Sequence, residues 1–545
     1  QANINNEARA KKLAAEAAKR RDTASARERM WIDALVELYA SVPDPPDDKD
    51  KKKTETKPIS KKEKRARDKK RFGLYAKRLR EIVKAHPDDP EAKAFLAVRL
   101  WQNKRKGHPI KNYDENEKLI QSVLAVEPMH PIHHYRIHTW DRKKPAVALT
   151  SAARCGQSAP AIAHMWHMPG HIYSRLHRYA DAAWQQEASA RVDHAHMMRD
   201  RVMPDQIHNY AHNNEWLIRN LMNIGRVNDA LRLAMNMVEL PRHPRYNRIE
   251  GGQKGSARYG RQRLIQVLSR FELWDRAIGL CRGPYLEPTE SVNEQMNRLR
   301  LLGRACFETG RLEEGRKIIK TLEQRLRTAR ADEKRKKEAS TIDKVLKELT
   351  AHRLLADRKP AEALKHLKKI RSYDKVHLSM AYWKANDREN ALKTAAAAVS
   401  SGKQAIRPLA HHAYLLYEAG RTKEAGKLFD RVATLGAKAD LDVPCFKRLA
   451  PLADARGRPV DWRVTTPPKE DVGQRPDLNS LGPFRWKPSP APDFSLPDDE
   501  GLTRRLSEFQ GKPVVLIFYL GAGCLHCVDQ LNAFAPMTEA YAKAG

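Results

Sequence analysis

The sequence predicts a mainly α protein: a long stack of short helix pairs, an α-solenoid, followed by a small α/β segment. Three observations carry that expectation. Between Leu176 and Ala425, helical periodicity is interrupted seven times by a short polar turn followed by an acidic residue and then Ala or Gly. Prolines then cluster from Pro451 to Pro492 and break any helix longer than a turn or two. Finally, the apolar run Pro513–Tyr519 leads through Gly521-Ala-Gly523 into Cys524-Leu-His-Cys527.

At 545 residues the chain is too long for one ordinary domain and suits three or four units or a repeat array. It starts at Gln1 without an initiator Met or a charged-then-apolar leader, so the expectation is a processed or trimmed piece. No apolar run approaches the length that spans a bilayer. Of the six cysteines, Cys155, Cys281, Cys306 and Cys445 are scattered through helical-looking sequence as buried thiols would be, and only Cys524 and Cys527 are spaced for chemistry. With 102 Lys and Arg against 67 Asp and Glu, the net charge is +35, which suits nucleic acid, an anionic membrane surface or an acidic partner. Zinc-finger spacing and aromatic-basic signatures are missing, so a solvated basic surface is favoured over nucleic-acid binding.

In chain order, residues 1–46 read as two helices, Ala8–Arg21 and Ala26–Tyr39, the second carrying Met30, Ile32, Leu35, Val36 and Leu38 as an apolar stripe before Pro43. Residues 47–71 are lysine- and arginine-rich with almost nothing apolar, and are expected as an exposed, mobile insertion. Helical periodicity resumes at Phe72 and runs to about 440. Acidic residues in His86-Pro-Asp-Asp-Pro-Glu-Ala92 cap the helix Ala92–Trp101, and Glu115–Val126 ends at Glu127-Pro128.

The seven turns are Leu176–Ala182, Ile224–Ala230, Phe271–Ala277, Thr309–Gly315, Asp357–Ala363, Asn386–Ala391 and Ala419–Ala425. Gly or Asn lets the chain reverse, and Ala lets two helices approach closely. Over 90–440 this punctuation resembles the tetratricopeptide-repeat superfamily, with irregular spacing. The resemblance implies a superhelix of helix pairs whose concave face binds a protein or peptide partner. Residues 441–489, with their prolines, are expected to be a linker to the C-terminal segment.

Histidine is concentrated between His130 and His212. His130, His133, His134 and His138 come first, then His164-Met-Trp-His167-Met-Pro-Gly-His171, His194 and His196, and last His208-Asn-Tyr-Ala-His212-Asn-Asn-Glu215. Spacings of three and four put His208, His212 and Glu215 on one helical face, a set suited to a transition metal. The metal candidates are therefore His164, His167, His171, His208, His212 and Glu215. The competing reading is a hydrogen-bonded polar interior using Asn209, Asn213 and Asn214. Met165, Met168, Met197, Met198 and Met203 would suit copper, though methionine at helical spacing is usually core. No His-Glu-x-x-His is present.

A cysteine in the first turn of a helix meets free backbone N–H groups and the positive end of the helix dipole, both of which favour thiolate. A second cysteine one turn on can resolve a mixed disulfide or sulfenic acid. Ala491-Pro-Asp-Phe-Ser-Leu496, Gly511-Lys-Pro513, the expected strand Val514–Tyr519 and Gly523-Cys-Leu-His-Cys527 resemble the start of the redoxin (alkyl hydroperoxide reductase/thiol-specific antioxidant) branch of the thioredoxin-like superfamily. This implies an incomplete thioredoxin-like α/β segment over 490–545, with Cys524 attacking, Cys527 resolving and a thiol reductant as partner. No cofactor is required for such a dithiol.

Peroxiredoxins carry Thr or Ser three residues before the reactive cysteine and Pro seven before it, where this chain has Gly521 and Ile517. That departure moves weight from peroxide reduction toward dithiol–disulfide exchange. The protein is expected to continue past Gly545, since one strand and one helix bury too little to close a sheet.

The order of repeats, proline-rich stretch and redoxin is also similar to a family of large bacterial proteins, notably planctomycete, that share His-Met-Pro-Gly-His-Ile-Tyr. That similarity implies a bacterial protein, exported or envelope-associated. Three functions are compatible with these features: a repeat scaffold carrying thiol chemistry, a purely interacting scaffold, and a metal-dependent role for the histidines.

Overall fold

The computed structural model describes residues 7–42, 60–110, 112–207, 209–243, 255–371, 373–521 and 523–544. It divides into two compact units, Gln1–Trp486 and Lys487–Gly545.

The first unit is a succession of helices in which sequence neighbours pack against each other. All seven expected turns are present, and each contains one residue in the left-handed region: His177, Gly225, Glu272, Gly310, Arg358, Asn386 and Gly420, with φ between 58° and 79°. The next residue's N–H reaches back over the helix end to the carbonyl five residues earlier. Arg178 donates to Tyr173 at 2.8 Å, Arg226 to Leu221 at 3.0 Å, Arg311 to Cys306 at 2.8 Å and Arg421 to Leu416 at 2.8 Å. Carbonyls orphaned at the helix end are thereby satisfied and the chain is turned for the return helix.

The small residue that closes each turn is where the two helices touch. Ala182, Ala230, Ala277, Ala363, Ala391 and Ala425 are all buried. At Gly315 a Cβ would fall 2.6 Å from the Phe307 ring, so only glycine fits there.

The largest core joins helices distant in sequence. Leu221, Val227, Leu233, Leu264 and Leu268 pack in one cluster with Ile406, Leu409, Phe429, Val432 and Phe446. The helices Ile406–Glu418 and Thr422–Leu435 therefore lie against the middle of the array. Backbone polar groups lock the contact: Asp440 donates its N–H to the Gly225 carbonyl at 3.0 Å, and its carboxylate accepts from the Asn228 N–H at 2.7 Å. Gly225 sits at the closest approach, where a Cβ would lie 2.4 Å from Ile406 Cδ1.

Two sequence expectations change in the first unit. Residues 60–71, expected as part of a mobile insertion, form the first turns of the helix Lys61–Ala85; residues 43–59 lie outside the described residues. Ser60 and Glu63 form a reciprocal cap, and buried Arg71 pairs with Asp68 at 2.9 Å and with Glu7, while Lys61, Lys62, Lys64, Arg65, Lys69 and Lys70 stay exposed as expected. Residues 441–486, expected as a linker, are a packed strap. Their prolines prevent long helices, but several of their apolar residues are buried: Phe446, Leu449, Leu452 and Trp462 join the main core and Val472 a second one.

Polar groups of the strap, side-chain and backbone, are met by side chains of the array. Arg178 forks onto Asp471 at 2.7 and 2.8 Å, Arg191 donates to the Gly482 carbonyl at 2.8 Å, and Asn236 brackets Trp486 through its N–H at 3.1 Å and carbonyl at 3.0 Å. Gly482 is required where a Cβ would lie 2.3 Å from the Arg191 carbonyl.

The second unit holds one antiparallel hairpin, Ser495–Pro497 with Thr503–Arg505, in the register Leu496 opposite Arg504. Its main helix is Leu525–Phe534. The expected strand Val514–Tyr519 does not form: these residues have no regular secondary structure, and Val514, Val515, Leu516, Phe518 and Tyr519 are exposed. A strand is defined by its ladder, and among the described residues none pairs with this segment.

Two measurements check the array. Gly225→Ala must place a Cβ both at positive φ and into Ile406, whereas Gly310→Ala meets only the backbone strain because its surroundings are open. The second should cost ~1–2 kcal/mol and the first ~1–3 kcal/mol more in urea unfolding, and equal losses would mean that the 406–446 contact is absent.

The other concerns Asp193, whose carboxyl burial pushes up to about 7 although Asn213 donates to it at 3.0 Å. Its folded value lies above its unfolded one, so its contribution is fully present below about pH 4 and is lost as pH rises through about 7. Asp193→Asn should therefore gain stability on the wild type progressively over that window, by a few kcal/mol in paired thermal melts.

Candidate functional site

Two groups of residues carry chemistry. In the second unit, the Leu525–Phe534 helix begins at Cys524, whose Sγ accepts the Cys527 N–H at 3.3 Å. The Cys524 carbonyl accepts from the same N–H at 2.9 Å and from Val528 at 3.1 Å. Cys524 thus occupies the N-cap, where orphan donors stabilise negative charge on sulfur. Cys527 lies one turn on, with Cα atoms 5.3 Å apart, and the two sulfurs are joined as a disulfide. The structure places both predicted cysteines together, in the oxidised state of a dithiol couple.

In the first unit, the histidine-rich stretch separates into two kinds of side chain. Some are saturated by ordinary hydrogen bonds. His133 bridges Ser151 and the Pro128 carbonyl at 2.9 Å each, and His194 bridges the Pro483 carbonyl and the Tyr210 hydroxyl at 3.1 Å each. Among the described residues, six imidazoles stand in a continuous file: His134, His138, His164, His167, His171 and His212. Successive ring centroids lie 4.7 Å apart for His134 and His138, 4.9 Å for His134 and His164, and 5.6 Å for His164 and His167. From His167 the centroids of His171 and His212 lie 4.8 and 4.9 Å away.

Three helices build this file. His133–Trp140 and Ala163–Arg175 present their histidines at three- and four-residue spacing on one face, and Tyr210–Asn223 adds His212. Among the described residues, two groups of three have ring nitrogens within 4.8 Å of one another: His134, His138 and His164, and His167, His171 and His212. Burial pushes the His134 and His167 imidazoles well below their usual range and His138 down to about 3, reinforced by the neighbouring rings. Those three rings are held neutral, the form that ligates metals.

Of the predicted metal candidates, His164 falls in the first group, and His167, His171 and His212 make the second. His208 lies outside the described residues. Glu215 is beside the second group rather than in it, one carboxylate oxygen held by Arg263 and the other 3.8 Å from His212 Nδ1. His134 and His138 are not among the predicted ligands, although their four-residue spacing is the signal that His167 and His171 carry.

Residues 488–545 match the AhpC/TSA family. Over 59 residues the chain is 48% identical to "Peroxiredoxin Q, chloroplastic" of Triticum aestivum, covering 11% of this chain and 27% of that protein. Over 67 residues it is 44% identical to the Sedum lineare protein of the same description, covering 12% and 36%. The chain thus spans about a third or less of the length of these curated relatives.

Among solved structures, "Crystal structure of APC/C hetero-tetramer Cut9-Hcn1" is similar at a TM-score of 0.29 and 10% identity, over 73% of this chain and 84% of that one. "Structure of Naa15/Naa10 bound to HypK-THB" is similar at 0.25 and 12%, over 83% and 71%. Scores this low add nothing to the fold read from the helices themselves. The chain is an array of paired helices followed by a segment, residues 488–545, that is similar to the AhpC/TSA family.

Proposed function

We propose that this protein is a scaffold-borne thiol oxidoreductase, in which the Cys524–Cys527 couple reduces a hydroperoxide or a disulfide and the helical array holds a protein partner. The observation that carries the reading is the placement of Cys524 Sγ at a helix N-terminus, accepting the Cys527 N–H, inside a segment that matches AhpC/TSA proteins.

With a hydroperoxide, the Cys524 thiolate attacks the terminal peroxide oxygen. The O–O bond breaks, an alcohol leaves, and Cys524 becomes a sulfenic acid. Cys527 then attacks that sulfur, water leaves, and the disulfide seen here is formed. With a disulfide substrate, Cys524 forms a mixed disulfide that Cys527 displaces. Both routes end in the same oxidised pair, and an external dithiol supplies the two electrons that reset it. Gly521 and Ile517, at positions where peroxiredoxins have Thr or Ser and Pro, favour the disulfide route.

The expected outcome is that Cys524→Ser lowers dithiol-dependent turnover of either substrate by at least ~10³-fold, as for loss of a nucleophile. Cys527→Ser should complete one half-reaction and accumulate a sulfenic acid or a mixed disulfide, visible by intact mass. Rates for tert-butyl hydroperoxide against a model disulfide, measured side by side, assign the substrate class. Undiminished turnover in Cys524→Ser would refute the reading.

A further inference from the structure

The thiol chemistry leaves the imidazole file of the first unit without a role. Its hydrogen bonding is the informative part. Gln186 donates its amide to the His167 carbonyl at 3.1 Å, which identifies its other atom as oxygen, and that oxygen sits 2.6 Å from His167 Nδ1. An amide oxygen only accepts, so Nδ1 carries the proton and His167 Nε2 presents a bare lone pair. Gly170 makes this possible: a Cβ there would lie 2.1 Å from Gln186 Nε2.

His171 Nε2 stands 2.9 Å from that lone pair. If His171 were neutral and donated to it, its own Nδ1 would be an acceptor. That atom is buried without a hydrogen bond and faces the Asp141 carboxylate at 3.7 Å, acceptor against acceptor.

A metal ion removes the conflict. With Nε2 of both rings on a cation, His171 Nδ1 carries its proton toward Asp141, and His167 Nδ1 keeps its bond to Gln186. His212 likewise turns its Nδ1 toward a carboxylate, that of Glu215 at 3.8 Å. Each ring thus has an oxygen acceptor behind it, the arrangement that orients metal-bound histidines. The 2.9 Å between the two Nε2 atoms is the separation of neighbouring ligands at a right angle when each metal–nitrogen bond is about 2.1 Å.

We propose that His167, His171 and His212 bind one first-row transition-metal dication through imidazole nitrogen, with Gln186, Asp141 and Glu215 orienting the rings. Three neutral imidazoles suit zinc, cobalt, nickel or copper rather than magnesium or calcium. Three protein ligands leave positions open for water or a small ligand, and the His212 side chain, 38% exposed, puts the site within reach of solvent.

The test uses the full chain, free of any affinity tag, in a Cys524→Ser/Cys527→Ser background so that the dithiol cannot hold the ion. After chelator treatment and loading with Co²⁺ or Zn²⁺, one ion per chain should be retained, and Co²⁺ should give visible d–d bands of a nitrogen-ligated site. His212→Ala should weaken binding at least tenfold with the helical circular dichroism unchanged. His212→Cys should bind Co²⁺ with a new near-ultraviolet sulfur-to-metal charge-transfer band, a signature that no merely structural role produces.

Three results would each overturn the assignment. One is a folded chain that retains no ion after loading, as expected if a protonated His171 satisfies both Asp141 and His167. Another is an unchanged affinity in His212→Ala. The third is loss of the ion through His138→Ala but not His212→Ala, which would place it among His134, His138 and His164.

Discussion

The left-handed residue at the end of each first helix is the constraint on which the array depends. A helix can end in many ways, but only this one sends the next N–H back over the last turn and returns the chain antiparallel at a fixed offset. Because the offset is fixed, the small residue of the second helix always arrives at the same contact. The bond recurs with glycine at Gly225, Gly310 and Gly420, and equally with His177, Glu272 and Arg358, which must bear the strain of a Cβ at positive φ. Its retention by unsuited residues indicates that the turn is dictated by packing on both sides.

Some of the chain's charged residues are placed by the same turns. Arg178, Arg226, Arg311 and Arg421 come directly after the left-handed residue, and each pairs with an acid three positions on, at 2.7, 2.7, 3.9 and 2.7 Å. Such pairs contribute little individually where they are exposed. They do place an arginine beside the chain reversal and an acid in the first turn of the next helix, where the dipole favours it. Arg178 is also recruited by Asp471 of the strap, so one residue ends a helix, caps the next and anchors a distant segment.

Sequence legibility tracks the range of the interaction. The seven turns and the redox pair are readable because their signals are local: Gly or Asn at a reversal, a small residue at a contact, two cysteines one turn apart. The strap is not, because proline reports only that a segment is not helical, while what binds it, such as Arg191 and Asn236, lies more than two hundred residues earlier. Residues 60–71 mislead for the complementary reason. Most of their charges are indeed solvated, but Asp68 and Arg71 are buried against Glu7, Lys106 and each other, partners that local sequence does not announce. The Val514–Tyr519 run has strand composition, yet strand formation is a property of pairs, and composition cannot provide a neighbour.

The histidines show where spacing stops being sufficient. Positions three and four apart identify His164, His167 and His171 as one face, and would equally identify His134 and His138. What spacing cannot separate is the saturated ring from the presented one. His133 and His194 have the same chemistry and comparable burial, but their nitrogens meet hydroxyl and carbonyl oxygens, whereas His167 Nε2 meets the ring nitrogen of His171. His167 differs through Gln186, nineteen residues away on the return helix, and Gln186 reaches it only because position 170 lacks a side chain. The dithiol needs nothing beyond the first turn of one short helix, whereas the imidazole group needs three helices held in register. The turn geometry of the array is therefore the precondition of the second chemistry and not of the first.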